Sequence, residues 1–187
     1  MEVTEKEVCA YLRMGNEMPD AQLSKRIGEL LAEVQPILRP SRIWQRVRVA
    51  EIPMLGNSLY QHLSGCEDAF LACGTLGAGI DAFQRRIAIC SAADALIVQA
   101  IGAAFVERVM DGIEAAIKEE LLPGESLVSR YSPGFGDFPL AVQRKILAML
   151  DASRKIGVSL TDSLLLVPSK SVSAVIGVRR TEERLQE

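Results

Sequence analysis

From about Gly79 to Glu120 the sequence is helical in pattern, with one break near Cys90–Ser91. No other stretch constrains the fold so strongly. In its later part Glu107, Asp111, Glu114 and Lys118 form a polar stripe opposite Val106, Met110, Ile113 and Ile117. That is the repeat of a helix laid over an apolar surface. Residues 87–106, "IAICSAADALIVQAIGAAFV", are apolar enough to mimic a membrane span. They carry Asp94 and Gln99, and an acid at mid-bilayer costs on the order of 2.5–3.5 kcal/mol. Their Ala and Gly residues suit close packing, so the stretch is read as a buried helix with no membrane partner. The opening "MEVTEKEVC" is acidic and lacks the apolar core of a signal peptide; a cytoplasmic protein is expected.

A long one-sided helix needs a surface to cover, and the flanking sequence supplies strands. Ile43, Gln45, Val47 and Val49 alternate with Trp44, Arg46 and Arg48, the period of a strand with one wet face. "DAFLACGTLG" reads as a buried strand, "SLVSRYS" as another. "DSLLLVPS" and "SVSAVIGVRR" read as two more, joined as a hairpin around Pro168–Lys170. Thr4 and Glu7 have capping-box spacing for a first helix ending near Gly15–Asn16, and Asp20 is placed to cap a second. A short helix is expected around "NSLYQHLSG" and one helix over "PLAVQRKILAMLDASRK". The order lacks the alternation of a doubly wound fold. The expectation is α+β: about five mostly antiparallel strands packed with helices. They form one domain over residues 1–187, with a helical segment at about 1–40.

Composition narrows the function. Net charge is −3 over 187 residues, and no basic run interleaved with aromatics occurs, which argues against nucleic acid. Cys9, Cys66, Cys73 and Cys90 contain no C-x-x-C spacing, and His62 is the one histidine; four buried thiols and no metal site are expected. Gly74, Gly77 and Gly79 superficially resemble a nucleotide-binding turn but miss the G-x-G-x-x-G order, so a tight strand-to-helix turn is expected. "QHLSG" holds a His-x-x-Gly as in corrinoid-binding modules, yet Tyr60 stands where those have Asp, and His62 is read as a surface or helix-end residue. No serine lies in a nucleophile elbow.

The segment "SRYSPGFGDFPL", residues 129–140, is too rich for a plain turn. Pro133 fixes φ, while Gly134 and Gly136 can bring backbone close to a ligand. Consecutive amides in such a turn suit carboxylate or polar heteroatoms. Arg130 offers a planar fork for a carboxylate. Phe135 can cover an adenine or face a sulfonium. Asp137 can accept from an amine or hydroxyl, or cap the helix that follows. A rigid turn alone explains Pro, Gly and Asp, but does not need Arg130 and Phe135 as well.

"RYSPGFGDFPL" resembles the R-x-x-x-G-Y loop of the activation (AdoMet-binding) domain of cobalamin-dependent methionine synthase, and most closely the S-P-G-Y-G loop of its small stand-alone relatives. "EVCAYLRMGNEMPD", "ACGTLGAGID" and "LTDSLLLVPSKSVSAVIGV" agree with it, so the resemblance spans nearly the whole chain. It implies a bent antiparallel sheet with helices, S-adenosylmethionine (AdoMet) as ligand, and a corrinoid methyltransferase protein as partner. A reductant protein would supply the electron needed to restore methylcobalamin from cob(II)alamin. Cobalamin is expected only through that partner. By the resemblance Arg130 contacts AdoMet, with Ser132, Pro133, Gly134, Phe135, Gly136 and Asp137 in the ligand loop. Phe135 takes the place of the family tyrosine. For the ligand-binding acid of the long helix Glu107 is the nearest candidate, although the register that aligns Phe105 puts Ala103 there. No catalytic side chain is expected; the contribution is positioning. A monomer or weak dimer is expected. The alternative is a corrinoid-protein-binding module that no longer binds AdoMet.

Overall fold

The computed structural model describes residues 1–14, 17–53 and 56–180. Helix α1 (Glu5–Tyr11) begins with the expected capping box, Thr4 N–H donating to the Glu7 carboxylate at 2.8 Å. It ends at Tyr11, and the end expected near Gly15–Asn16 lies outside the described residues. Helix α2 (Ala21–Val34) is capped by Asp20, whose Oδ1 accepts from Leu23 N–H at 2.8 Å.

Strand β1 (Ser41–Arg48), helix α3 (Asn57–His62), strand β2 (Cys66–Thr75) and helix α4 (Gly79–Cys90) follow. Helix α5 (Ala92–Lys118) starts afresh at Ser91, whose Oγ accepts from Asp94 N–H at 3.1 Å. The membrane-like stretch is therefore two helices. Asp94 is held by Arg26 of α2 through two bonds of 3.0 and 2.9 Å. Among the described residues no helix is long and apolar enough to cross a membrane.

Strand β3 (Glu125–Leu127), helices α6 (Gln143–Leu150) and α7 (Ala152–Ile156), and strands β4 (Ser159–Leu160), β5 (Leu166–Val167) and β6 (Ser171–Arg180) complete the chain. The fold is α+β. The main sheet has four antiparallel strands in the order β1-β2-β6-β3, not five, and β4-β5 form a separate two-strand ribbon. The expected β5–β6 hairpin is thus corrected. Asp81 of α4 holds the intervening turn, accepting from Ser169 N–H at 2.8 Å and Ser169 Oγ–H at 2.6 Å, and β5 turns back on β4. The strand expected over 126–131 is also shorter. Val128 N–H reaches the Gly177 carbonyl and Tyr131 N–H the Val175 carbonyl, so three steps on one strand match two on the other and the ladder breaks at Ser129–Arg130. The last helix is two, divided at Asp151 with φ 53°.

Both sheet faces are covered. Met110, Ile113 and Ile117 of α5 pack on Phe70, Ala72, Ala174 and Ile176, each large side chain contributing about 1.5–3 kcal/mol by burial. A Cβ at residue 74 would lie 2.8 Å from Val109 Cγ1, so Gly74 is what lets α5 come down on β2. On the other face Leu59, Leu63, Phe138, Ile146 and Leu150 cover Leu71, Cys73 and Val175. A third cluster joins α1, α2, α4 and the first half of α5. The turn from β2 to α4 is the expected tight one, with Gly77 at φ 79° and its N–H on Thr75 Oγ1 at 3.1 Å. Of the thiols Cys9 and Cys73 are buried, but Cys66 is half-buried and Cys90 exposed. Cys90 is the last residue of α4.

Candidate functional site

A groove of about 400 Å³ opens between α5, the 130–135 loop, β5, the start of β6 and the start of α6. That is within the roughly 300–1,000 Å³ of small-molecule sites. Its lining brings together Glu107, Arg130, Ser132 and Phe135, which sequence reasoning had chosen from two distant segments. It adds Tyr131, Gln143, Leu166, Ser171, Val172 and Ser173.

Arg130 is engaged by α5 through both terminal nitrogens. Its Nη2 donates to Glu107 at 2.6 Å, and its Nη1 to Glu114 at 2.7 Å and to Asp111 at 3.0 Å. The three acids sit at successive turns of α5, so the polar stripe of that helix is the wall that receives this arginine. Burial disfavours the Arg130 charge, but the three carboxylates outweigh it and hold the group above its ordinary value. Arg108 also lies 3.8 Å from Asp111, so three carboxylates meet two guanidiniums and an excess of acid remains on the wall.

The loop itself is rigid. Gly134 N–H donates to the Phe138 carbonyl at 2.8 Å, Phe135 N–H to Ser132 at 3.2 Å and Phe138 N–H to Phe135 at 2.9 Å. These bonds occupy the Gly134 and Phe135 amides that composition had offered to a ligand. Gly134 and Gly136 have φ of 95° and 53°, as the turn demands. Pro133 is buried, while Phe135 is 64% exposed and stands over the groove. Tyr131 carries it from below, its ring 6.3 Å from Phe135 and 4.8 Å from His62. His62 is the last residue of α3, the helix-end position expected of it.

Asp137 does not cap the helix after it. Its carboxylate accepts from Asn57 N–H at 2.7 Å and Ser58 N–H at 2.9 Å, at the start of the distant α3. Hydrogen bonds from Ser58 and Asn57 hold it below the usual carboxylate range.

The groove floor is polar, which the sequence did not announce. Ser171 and Ser173 are buried on one face of β6. Ser173 Oγ–H donates to Gln143 Oε1 at 3.3 Å, and Ser171 Oγ lies 2.7 Å from the Pro168 carbonyl oxygen. The available signal was two serines spaced by two in an otherwise apolar strand, the spacing of one sheet face.

A family model described as "Vitamin B12 dependent methionine synthase, activation domain" matches residues 90–183. A crystal structure of the MetH reactivation domain bound to AdoHcy is similar over 92% of this chain and 70% of that one, with TM-score 0.63 and 14% identity. At that identity the likeness concerns the fold. No curated protein is a significant match.

Proposed function

The chain belongs to the family of vitamin B12-dependent methionine synthase activation domains, and on that premise we propose that it binds AdoMet in the groove and presents the methyl group to a separate corrinoid protein. The observation that carries this reading is the convergence of Glu107, Arg130, Ser132 and Phe135 on one open groove. AdoMet supplies an activated methyl group whose bond to sulfur breaks with the electron pair left on sulfur. The electron that a cob(II)alamin acceptor lacks comes from a reductant protein.

The residues divide the binding work. The acid excess on this wall favours a ligand carrying a sulfonium and an ammonium. Arg130 meets the ligand carboxylate by exchanging one α5 acid for it, a swap that keeps the guanidinium paired. Glu107, once released, accepts from the ligand ammonium. Phe135 offers its face to the sulfonium or adenine, and Ser132 with Ser173 and Gln143 offers hydrogen bonds at the floor. Pro133, Gly134 and Gly136 shape the loop. The partner settles on the open side of the groove, for which a monomer or weak dimer leaves room.

Calorimetric titration with AdoMet tests the binding. Mixing the protein with a cob(II)alamin-loaded corrinoid protein, AdoMet and a reductant tests the role: a methylcobalamin spectrum should develop faster than in the control without this chain. No difference across corrinoid partners would end the proposal.

One observation favours a second reading, a corrinoid-protein-binding module without AdoMet. Both terminal nitrogens of Arg130 are already taken by α5 acids. No AdoMet heat together with retained corrinoid-protein binding would select it.

A further inference from the structure

Helix α3 has six residues, whereas isolated helices shorter than about 12–15 residues are marginal in water. Leu59 and Leu63 are buried against the sheet and give it a footing. Both of its ends are then tied to the groove loop. At the start, Asn57 N–H and Ser58 N–H donate to Asp137 at 2.7 and 2.9 Å. At the end, His62 Nε2–H donates to the Ser129 carbonyl at 2.6 Å. Ser129 and Asp137 bracket the groove residues Arg130, Tyr131, Ser132 and Phe135.

The backbones meet between these ties. A Cβ at residue 56 would lie 2.5 Å from the Asp137 carbonyl oxygen, and one at residue 136 would lie 2.8 Å from Ser58 Oγ and Tyr131 Oη. Both positions have positive φ, so glycine is required twice for one approach. The His62 ring also stacks 4.8 Å from Tyr131, which stands under Phe135. A carbonyl only accepts, so in this contact the ring donates through Nε2–H.

We propose that α3 is a clasp for the groove loop, with Asp137 and His62 as positioning residues that hold Arg130–Phe135 at the ligand. Asp137 on this account touches no ligand, because α3 occupies its carboxylate. The ligand part of the inference rests on the AdoMet reading above; the clasp itself does not.

Amide hydrogen exchange and AdoMet calorimetry on Asp137→Ala, Asp137→Asn, His62→Ala and His62→Gln test it. In each alanine variant the Gly134 and Phe138 amides, which bond inside the loop, should exchange at least tenfold faster. The paired Ala72 and Ala174 amides of β2 and β6 should be unchanged, and AdoMet should bind at least tenfold more weakly. Asn keeps one acceptor and Gln keeps a donor, so each should recover part of the loss. Loop amides at wild-type rates, or equal acceleration in the sheet, would overturn the clasp. A loosened loop with undiminished AdoMet affinity would overturn the positioning role. If wild type binds no AdoMet while the loop loosens as expected, the clasp is supported and the AdoMet reading fails.

Discussion

Lys170 Nζ donates to the backbone carbonyl of Gln99 at 3.1 Å, in space that exists because residue 102 is glycine. A Cβ there would lie 2.7 Å from Lys170 Cε and 2.9 Å from Cδ. The lysine is 5% exposed. Burial pulls its amine down to about 8, against a smaller opposing pull from Asp81. It ends the turn that carries Ser171 and Val172 into the groove.

The first prediction concerns pH. The unfolded chain keeps the lysine proton to about 10.4, and the folded chain only to about 8. Between those values the unfolded state binds more protons, so this group makes stability rise with pH. The whole shift corresponds to roughly 3 kcal/mol. Cys73 works the other way above its ordinary range, since burial pushes its thiol up to about 12. The informative quantity is therefore the difference between wild type and Lys170→Met at each pH. Urea denaturation should find the variant favoured most below pH 8, with the gap closing towards pH 10.5. A gap that does not vary with pH would refute the assignment.

Acid should act through Glu125. Its side chain is 1% exposed. Bonds from Arg46 at 2.6 and 2.9 Å, from Leu122 N–H at 3.0 Å and from Arg180 at 3.2 Å surround it. Arg46 above all holds the carboxyl down to about 2. The folded value lies below the unfolded one, so the stabilisation is present above about pH 4.3 and is lost as pH falls towards 2. Glu125→Gln should cost about 2–3 kcal/mol at neutral pH, since Arg46 keeps Asp68 as a partner. It should also flatten the acid limb of the stability curve, and a limb of unchanged steepness would exclude this residue.

Arg130→Ala should weaken AdoMet binding by about 1.5–3 kcal/mol, the range for a hydrogen bond to a charged group. It also leaves Glu107 and Glu114 on α5 without a counter-charge, and Asp111 with only Arg108, 3.8 Å away. They are a quarter to a half exposed, so the stability loss should be only about 1 kcal/mol. Added salt should reduce that loss. Melting curves at low and high salt, with calorimetry alongside, separate the two effects. A stability loss indifferent to salt would mean that packing, not charge, is what Arg130 supplies.

These residues show what the chain disclosed before its structure. Local pattern located α2, β1, β2, the α4–α5 pair and β6, through an apolar stripe, an alternation, a cap or, for β2, an unbroken apolar run. The loop composition named Arg130 and Phe135, and the family resemblance added Glu107. Local pattern could not bring Arg130 to Glu107, 23 positions away, and only the resemblance set both at one ligand; their direct pairing came from neither. Asp137 was harder still, because its partners lie 79 and 80 positions away at the start of α3. The local rule that Asp caps the next helix pointed to the wrong end of the chain. The β5–β6 hairpin failed for a similar reason: Asp81 holds the turn from a position 88 residues earlier. Local patterns fix elements, whereas side chains that bond across such separations decide which elements touch.

Phe135→Tyr provides the most direct test of the groove's identity. The ring is 64% exposed, so a hydroxyl added at its tip has no core to enter and no desolvation to overcome. Gly134 and Phe135 keep their loop bonds because those involve only backbone atoms. Thermal stability should therefore change by no more than about 0.5 kcal/mol, as for other surface substitutions. The family resemblance places a tyrosine here. If that oxygen contacts ligand, AdoMet affinity should rise by about 0.5–1.5 kcal/mol, the net contribution of one neutral hydrogen bond. Methylcobalamin formation with a corrinoid partner should quicken in parallel at AdoMet concentrations below saturation. Calorimetry on the variant and wild type under identical conditions reads the first effect, and absorbance reads the second. A variant as stable as wild type but with weaker AdoMet binding would show that the groove accommodates Phe135 in a different pose, with its face and not its edge toward the donor. Equal affinity in both proteins would remove the ring tip from the ligand contact altogether.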